Sequence, residues 1–155
     1  MRITVSGDPA IELAPVRRAI RAALRPYGLA RDALVGLAFV DDAAMRDLNR
    51  RHRRTDRTTD VLSFGQRLPR GARGARAAAA LAREPDGTLE LGDIVISAAQ
   101  ARRQARRGRR ALGREIAFLA AHGALHLLGF EDETLAGYRD MVRLGTKAVE
   151  RAGEM

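Results

Sequence analysis

The chain has 155 residues, a length that suits one domain over residues 1–155 with a single hydrophobic core. It contains no cysteine, which excludes a disulfide scaffold, a thiolate metal site and a cysteine nucleophile, so any metal ion must be bound by histidine or carboxylate side chains. Its 28 basic and 19 acidic residues leave a formal charge of +9, which favours a polyanionic partner such as nucleic acid.

The N-terminal part of the chain predicts alternating strands and helices. Residues 1–5 are suited to a strand, and Pro15 then opens an amphipathic helix. Residues 33–40 form a second, apolar strand, after which Asp41 and Asp42 are suited to cap another helix. Because the connection between the two strands is long and helical, we expect them to be parallel neighbours.

The rest of the chain predicts two more strands followed by helices. Residues 61–64 and 89–97 are apolar strands that we expect to pair as a hairpin. Between them, residues 65–87 combine glycine and proline with regularly spaced arginines, which indicates a mobile basic loop. Helices are predicted over residues 98–110, 112–128 and 135–152. We therefore expect an α+β fold in which a small mixed four-stranded sheet is packed with helices.

No segment has the features of a signal peptide or of a transmembrane helix. The N-terminal residues alternate between polar and apolar types. The longest apolar run, residues 116–130, is too short to cross a bilayer and contains two histidines. We therefore expect a soluble intracellular protein with no membrane partner.

Two histidines in the most apolar predicted helix indicate a metal site. His122 and His126 are four residues apart, which places both imidazoles on one face of the helix about one turn apart. Gly129 allows the chain to reverse, so that Asp132 can add an oxygen ligand. The alternative is a pair of core histidines followed by a helix-capping aspartate. Because two of only three histidines in the chain fall at ligand spacing, we favour one divalent ion bound by all three side chains.

The residue that follows the first histidine bears on the type of reaction. In zincin metalloproteases this position holds the glutamate that accepts a proton during peptide hydrolysis. Here the position is occupied by Gly123. The protease interpretation is weakened, although the spacing of the histidines is the same.

Three stretches of the chain can be compared with known motifs. Residues 48–64 are LNRRHRRTDRTTDVLSF, residues 91–97 are LGDIVIS, and residues 122–130 are HGALHLLGF. In the same order along the chain, they resemble the motifs LNxxYRxxDxPTDVLSF, LGDIVIS and HGxLHLxGY of the YbeY family of ribosomal-RNA maturation factors. The chain is identified on this basis as similar to that family from residue 48 to residue 132.

The resemblance implies a metal-dependent, single-strand-specific endoribonuclease with a zincin-like metal site on a helix of the C-terminal half. It implies zinc as the metal, His122 and Arg53 as catalytic residues, and ribosomal RNA and the small ribosomal subunit as partners. The implied setting is the cytoplasm, in maturation of the 3′ end of 16S rRNA and in ribosome quality control. A guanidinium such as that of Arg53 can bind two phosphate oxygens, although by composition alone Arg53 belongs to a solvated basic face.

Asp132 departs from the family pattern, which usually has a third histidine ligand here. Two imidazoles and a carboxylate form a harder site than three imidazoles. Manganese, nickel and iron are therefore stronger candidates relative to zinc than in a site with three histidines. Glu131 and Glu133 are substitute ligands if the turn shifts in register. His52 and Thr58 replace the usual tyrosine and proline of the first motif.

Arginines between residues 102 and 110 predict an RNA-binding surface, to which Arg53 also contributes. They form two adjacent stripes at helical spacing that are suited to contact successive phosphates. The members are Arg102, Arg103, Arg106, Arg107, Arg109 and Arg110. A solvated helix surface is the alternative. No aromatic residue is interleaved with these arginines, so base stacking is not indicated in this segment.

Two functions from other classes remain open at the level of the sequence. One is a metalloprotease that takes its carboxylate base from elsewhere in the fold. The other is a non-catalytic ribosome assembly factor with a structural metal, which a fully coordinated ion would favour. We expect Asp60 and Asp93 to have structural rather than catalytic roles.

Overall fold

The computed structural model describes residues 1–53, with Arg53 represented by its backbone, and residues 59–153. The strands in these ranges are β1 (Arg2–Ser6), β2 (Leu34–Val40), β3 (Val61–Gly65) and β4 (Glu90–Ser97). The helices are α1 (Ala14–Leu24), α2 (Asp42–Arg53), α3 (Ala75–Ala80), α4 (Ala98–Arg107), α5 (Leu112–Leu127) and α6 (Leu135–Gly153). A 3₁₀ turn over Arg25–Tyr27 follows α1.

The four strands form one mixed sheet in the order β1-β2-β4-β3. Strands β1 and β2 are parallel, with Ile3 opposite Val35, and β2 and β4 are also parallel. Strands β3 and β4 are antiparallel, with Leu62 opposite Val95. The predictions of an α+β fold, of parallel first strands and of pairing between the third and fourth strands are confirmed.

Both faces of the sheet are covered, as the alternation of side chains along β2 requires. Val35, Leu37 and Phe39 belong to the main core beneath α1, α5 and α6. Ala38 and Val40 face the other side, where Met45 of α2 is fully buried. The start of α2 is fixed by a cap predicted from the sequence, because Asp41 Oδ1 accepts a hydrogen bond of 2.7 Å from the backbone N–H of Ala44.

Helix α5 lies at the centre of the main core. It is apolar on almost every side and packs against β3, β4, α1, α4 and α6. The segment that carries the two candidate ligand histidines is therefore held rigidly by its surroundings. None of the helices in the described ranges is both long enough and apolar enough to cross a membrane.

The prediction of a mobile loop over residues 65–87 is wrong for the middle of that segment. Residues 75–80 form the short helix α3, and Ala72 and Ala77 are buried. A helix of this length is not stable alone, so its stability comes from packing against the turn after α1 and the end of α5. The backbone N–H of Gly74 donates to the carbonyl oxygen of Leu128 at 2.9 Å, which ties the segment to the metal-site helix.

Candidate metal centre

The end of α5 and the turn that follows bring the third ligand back to the two histidines. Gly129 has φ +83°, a conformation that strains other residues, and a Cβ at this position would lie 2.1 Å from the carbonyl oxygen of Ala72. Only glycine fits both the backbone conformation and the space. The turn also points the carbonyl oxygen of Phe130 at the ring of His126, whose Nδ1 lies 2.8 Å away.

Three donor atoms converge at one point. His122 Nε2 lies 3.2 Å from His126 Nε2 and 3.1 Å from Asp132 Oδ2, and His126 Nε2 lies 3.4 Å from the same oxygen. The two imidazoles are mostly buried, with 11% and 14% of their side chains exposed, whereas Asp132 is 30% exposed. The cluster therefore opens to solvent on the side of the carboxylate.

Hydrogen bonding determines which atom of His126 faces the cluster. The carbonyl oxygen of Phe130 can only accept a hydrogen bond, so Nδ1 of His126 carries the proton and donates. In the neutral ring, Nε2 then presents its lone pair to the other two donor atoms. A backbone partner that holds a histidine in this tautomer is the usual support for a metal ligand.

The charges of the cluster suit a cation. Burial, with His126 acting in the same direction, holds the pKa of His122 below its usual value, even though Asp132 opposes the shift. Burial would raise the pKa of Asp132, but His126 and the hydrogen bond from His122 outweigh it, so the pKa is lowered. At neutral pH the cluster therefore consists of an uncharged His122 and an ionised carboxylate.

Hydrogen bonds within the cluster cannot pair all of its donor and acceptor atoms. If His122 carries its proton on Nε2, that N–H can donate to one of the two facing acceptor atoms. Nδ1 of the same ring is then an acceptor that is buried and has no partner in the described ranges. Without that proton, two lone pairs and a carboxylate oxygen face one another at 3.1 to 3.4 Å. A divalent ion at the convergence point would bind all three donor atoms, so the residues fit a metal ion.

The three ligands are not joined by a fourth protein ligand in the part of the chain that the structure describes. The metal-competent group there contains His122, His126 and Asp132 alone. Glu131 and Glu133, which the sequence allowed as substitutes, are exposed and outside this group. Three protein ligands with one open position are typical of catalytic zinc sites, whereas structural sites are closed by four.

Gly123 faces the sheet and not open space. A Cβ at this position would lie 2.6 Å from Cγ2 of Ile94 and 3.1 Å from Oγ of Ser63. The Ser63 hydroxyl also donates a hydrogen bond of 2.8 Å to the carbonyl oxygen of Gly123, which joins α5 to β3. A glutamate in the place used by zincin proteases has no room here, so the helix cannot supply that base.

A family model described as endoribonuclease YbeY matches residues 9–153, and the site just described lies within the match. The chain belongs to the YbeY family. The endoribonuclease YbeY of Moorella thermoacetica is 45% identical over 129 residues, which are 83% of this chain and 79% of the relative. That of Caldanaerobacter subterraneus subsp. tengcongensis is 35% identical over 152 residues, which are 98% of this chain and 92% of the relative. The resemblance seen in the sequence motifs is confirmed.

A solved structure supports the fold of this YbeY family member. The solution structure of TM1509 from Thermotoga maritima matches with a TM-score of 0.62 at 23% identity, covering 99% of this chain and 91% of the other. At this level of identity the likeness concerns the fold.

The arginines predicted to bind RNA fall into two groups. Three make contacts within the protein: Arg103 pairs with Asp42 at 2.8 Å, Arg110 pairs with Glu115 at 2.8 Å, and Arg102 donates to the carbonyl oxygen of Pro9 at 3.2 Å. The other three are exposed and have no side-chain partner in the described ranges; they are Arg106, Arg107 and Arg109. The Arg53 side chain and Asp56 lie outside the described part of the chain, whereas the Arg53 backbone ends α2.

A buried polar network one to two turns from His122 was not anticipated from the sequence. Glu115 is 5% exposed and receives hydrogen bonds from Arg110 at 2.8 Å and from Gln104 at 3.0 Å. The same amide nitrogen of Gln104 lies 3.3 Å from a carboxylate oxygen of Asp60. The negative charge of Asp60 in turn acts to raise the pKa of His122, against the larger effect of burial. The only sequence signal is the seven-residue spacing of Glu115 and His122, which puts both on one face of α5.

We expect the Asp132→His variant to retain metal binding and to shift its preference toward zinc, because imidazole is a softer ligand than a carboxylate. Competition between zinc and manganese, measured on both forms by isothermal titration, checks the result. Glu133→His is the matched control, because this exposed residue lies outside the cluster. An unchanged zinc-to-manganese ratio in Asp132→His would show that residue 132 is not a ligand.

Proposed function

We propose that this chain is a metal-dependent, single-strand-specific endoribonuclease. The observation that carries the proposal is the convergence of two imidazoles and one carboxylate in a chain of a family whose curated relatives are named endoribonucleases. Three protein ligands leave a position open for a substrate oxygen or water, as in catalytic sites. Zinc is the proposed metal, one ion per chain, and the carboxylate ligand makes manganese, nickel and iron its competitors.

The proposed catalytic residues are His122 and Arg53. A divalent ion at the site would act as a Lewis acid that polarises a phosphate and activates water. Phe130 keeps the ring of His126 in one tautomer and orientation, and burial keeps His122 uncharged and in place. The guanidinium of Arg53 is proposed to offset the negative charge that develops on the phosphate.

The proposed substrate is ribosomal RNA carried by the small ribosomal subunit, and the proposed location is the cytoplasm. Maturation of the 3′ end of 16S rRNA and ribosome quality control are the proposed roles. Family membership and the formal charge of +9 support a large anionic partner. Incubation of the purified protein with immature small subunits, followed by mapping of the RNA ends, tests the proposed cleavage position.

The central test compares RNA and protein substrates. Wild-type protein loaded with zinc or manganese is incubated with single-stranded RNA, double-stranded RNA and casein, with and without a chelator. We expect chelator-sensitive cleavage of single-stranded RNA alone. Cleavage of casein with intact RNA would replace this function with the protease, and metal-loaded protein that cleaves neither would favour the assembly factor.

We expect the exposed arginines of α4 to contribute electrostatic affinity for RNA. For single strands, the slope of log K against log salt is about −0.7 per phosphate contact, so the double variant Arg106→Gln/Arg107→Gln should flatten the slope by roughly 1 to 1.5. Fluorescence anisotropy over a salt series measures this slope. Charge neutralisation of the arginines between residues 67 and 76 should have an effect of the same sign.

A matched control separates local contacts from net charge. Arg2 and Arg31 are exposed and lie at the amino ends of β1 and β2, whereas α4 follows the carboxyl end of β4. Contacts of Arg102 with Pro9 and of Gln104 with Asp60 keep α4 at the carboxyl ends of the parallel strands, so the two pairs of arginines lie at opposite ends of those strands. The variant Arg2→Gln/Arg31→Gln should keep the wild-type slope. Equal slopes in all three proteins would assign the α4 arginines to the solvated surface.

A further inference from the structure

A cavity of about 370 Å³ lies between α5 and α6, beside the metal centre. This volume is within the range of roughly 300–1,000 Å³ that is usual for ligand pockets. One wall is aromatic and apolar, and the rim carries arginine side chains of α5 and of the segment before it. The lining residues used below are Arg110, Arg114, Phe118, Tyr138, Val142 and Thr146.

Phe118 connects the cavity to the metal ligands. Its ring lies in the wall of the cavity, and its centroid is 6.1 Å from that of His122. Phe118 is also packed against α6, because a Cβ at Gly145 would lie only 3.0 Å from its ring. A group bound against Phe118 is therefore separated from the ligand His122 by that one ring, which is itself packed against α6.

Tyr138 offers a second aromatic surface at the mouth of the cavity. It is 52% exposed, although large aromatic side chains are usually covered in a protein of this size. It lies in the first turn of α6, six residues after the ligand Asp132. An exposed aromatic ring beside a metal centre is available to stack against a planar group.

The charges at the rim select an anionic ligand. Arg110 is committed to the buried carboxylate of Glu115. Arg114 is exposed and has no side-chain partner in the portion of the chain that the structure describes. Glu115 also lines the cavity, and its negative charge is balanced by the ion pair with Arg110, which leaves the charge of Arg114 as the net charge of the lining.

We propose that this cavity binds one unstacked nucleobase of the RNA strand, placed against Tyr138 and Phe118, while Arg114 contacts an adjoining phosphate. The proposal rests on the proposed endoribonuclease function and adds a base-binding subsite to it. A planar aromatic ring over an apolar floor, with a free guanidinium at the rim, matches the chemistry of a nucleotide. A base can enter only after it leaves its stack, so the subsite also disfavours double-stranded substrates.

The lining predicts little preference among the four bases. Glu115 already accepts hydrogen bonds from Arg110 and Gln104, and the hydroxyl of Thr146 can both donate and accept, so neither group requires one particular base edge. Stacking does not distinguish strongly between bases, since every base has a π-face. Shape and stacking are therefore the expected sources of affinity.

The test is a thermodynamic cycle between the base and Tyr138, measured by binding. The probe is a six-nucleotide 2′-O-methyl single strand that carries one 2-aminopurine, with its integrity checked by mass spectrometry after each titration. A second strand has an abasic site in place of the 2-aminopurine. Separate pairs of probes place the 2-aminopurine or the abasic site at each position along the strand. We expect quenching of the 2-aminopurine and about tenfold weaker binding to Tyr138→Ala than to the wild type at one probe position.

The cycle is decided by whether the two changes are additive. At that position we expect the abasic strand to bind the wild type about tenfold more weakly and to lose nothing further in Tyr138→Ala. Tyr138→Phe should bind like the wild type, and Val142→Trp, which fills the cavity, should bind like Tyr138→Ala. Leu135→Ala is the matched control, because this α6 residue is 65% exposed and does not line the cavity.

Additive losses, or equal affinity of the wild type and Tyr138→Ala at every probe position, would overturn the subsite. The abasic probe is measured on unmodified protein as well, and Val142→Trp repeats the cycle with a second variant, so the result does not depend on the folding of Tyr138→Ala alone. The probe reports binding, so a failure of the subsite is distinguishable from a failure of the enzymatic function. If the wild type cleaves RNA but the two losses are additive, the subsite is disproved and the proposed function is not. If the losses are non-additive but no RNA is cleaved, the proposed function is disproved and the subsite is not.

Discussion

Replacement of His126 by alanine is expected to abolish stoichiometric binding of a divalent ion and, with it, cleavage of RNA. The variant loses one of three ligands, and the remaining His122 and Asp132 cannot complete the set. A metal ion contributes several kcal/mol of charge stabilisation in the transition state, so the rate should fall by on the order of 10³-fold. Elemental analysis of the purified variant and a single-turnover cleavage assay measure the two effects.

The control for this prediction is His52→Ala. His52 is exposed, contacts Phe64 with ring centroids 4.6 Å apart, and lies outside the ligand group, so the variant should keep its metal. Because His126→Ala also removes the hydrogen bond to Phe130, a thermal melt must show that it still folds. Asp132→Ala, which changes a more exposed side chain, provides an independent variant. Wild-type metal content in both ligand variants would show that the site is wrong.

Replacement of Arg53 by alanine is expected to reduce RNA cleavage by ~10²–10³-fold while metal content and folding remain those of the wild type. This loss is typical for removal of one preorganised group that stabilises charge in a transition state. The backbone of Arg53 ends α2 on the face of the sheet opposite to α5 but beside the edge strand β3, because His52 contacts Phe64 with ring centroids 4.6 Å apart. The decrease should appear in the rate of the chemical step under single-turnover conditions.

Arg50→Ala separates a specific role of Arg53 from the general basic character of α2. Arg50 lies three residues earlier on the same helix, is 59% exposed and pairs with Asp47 at 2.5 Å. Its loss should change the rate by no more than about twofold, as is usual for an exposed surface position. Equal losses in Arg50→Ala and Arg53→Ala would reduce Arg53 to one member of a solvated basic face. A loss of metal in Arg53→Ala would instead show a structural contribution to the site.

The predictions that depended on neighbouring residues agree with the structure. The cap formed by Asp41 and the turn at Gly129 each follow from a few consecutive residues, because capping and left-handed turns are local interactions. The helical spacing of His122 and His126 places two donor atoms together for the same reason. The prediction for residues 65–87 failed because the short alanine-rich run in that segment is stable as a helix only when Ala77 is buried, and a run of this length does not by itself determine that burial.

Residues 122–132 were therefore sufficient by themselves to predict a two-histidine, one-carboxylate cluster, because helix periodicity and one glycine turn determine where those side chains lie. Three other features were decided only by the tertiary structure. Packing against Ile94 leaves no space for a side chain at position 123, and Arg110 becomes an internal ion-pair partner of Glu115.

The cavity between α5 and α6 is the third of these features. The sequence around the arginines of residues 102–110 contains no aromatic residue, so base stacking was not indicated there. Packing of α6 on α5 nevertheless brings Tyr138 to the same cavity as Arg114, a residue of the preceding helix. Such a pair becomes adjacent only when the apolar faces of two helices are buried together, and that burial depends on the whole core rather than on any local pattern.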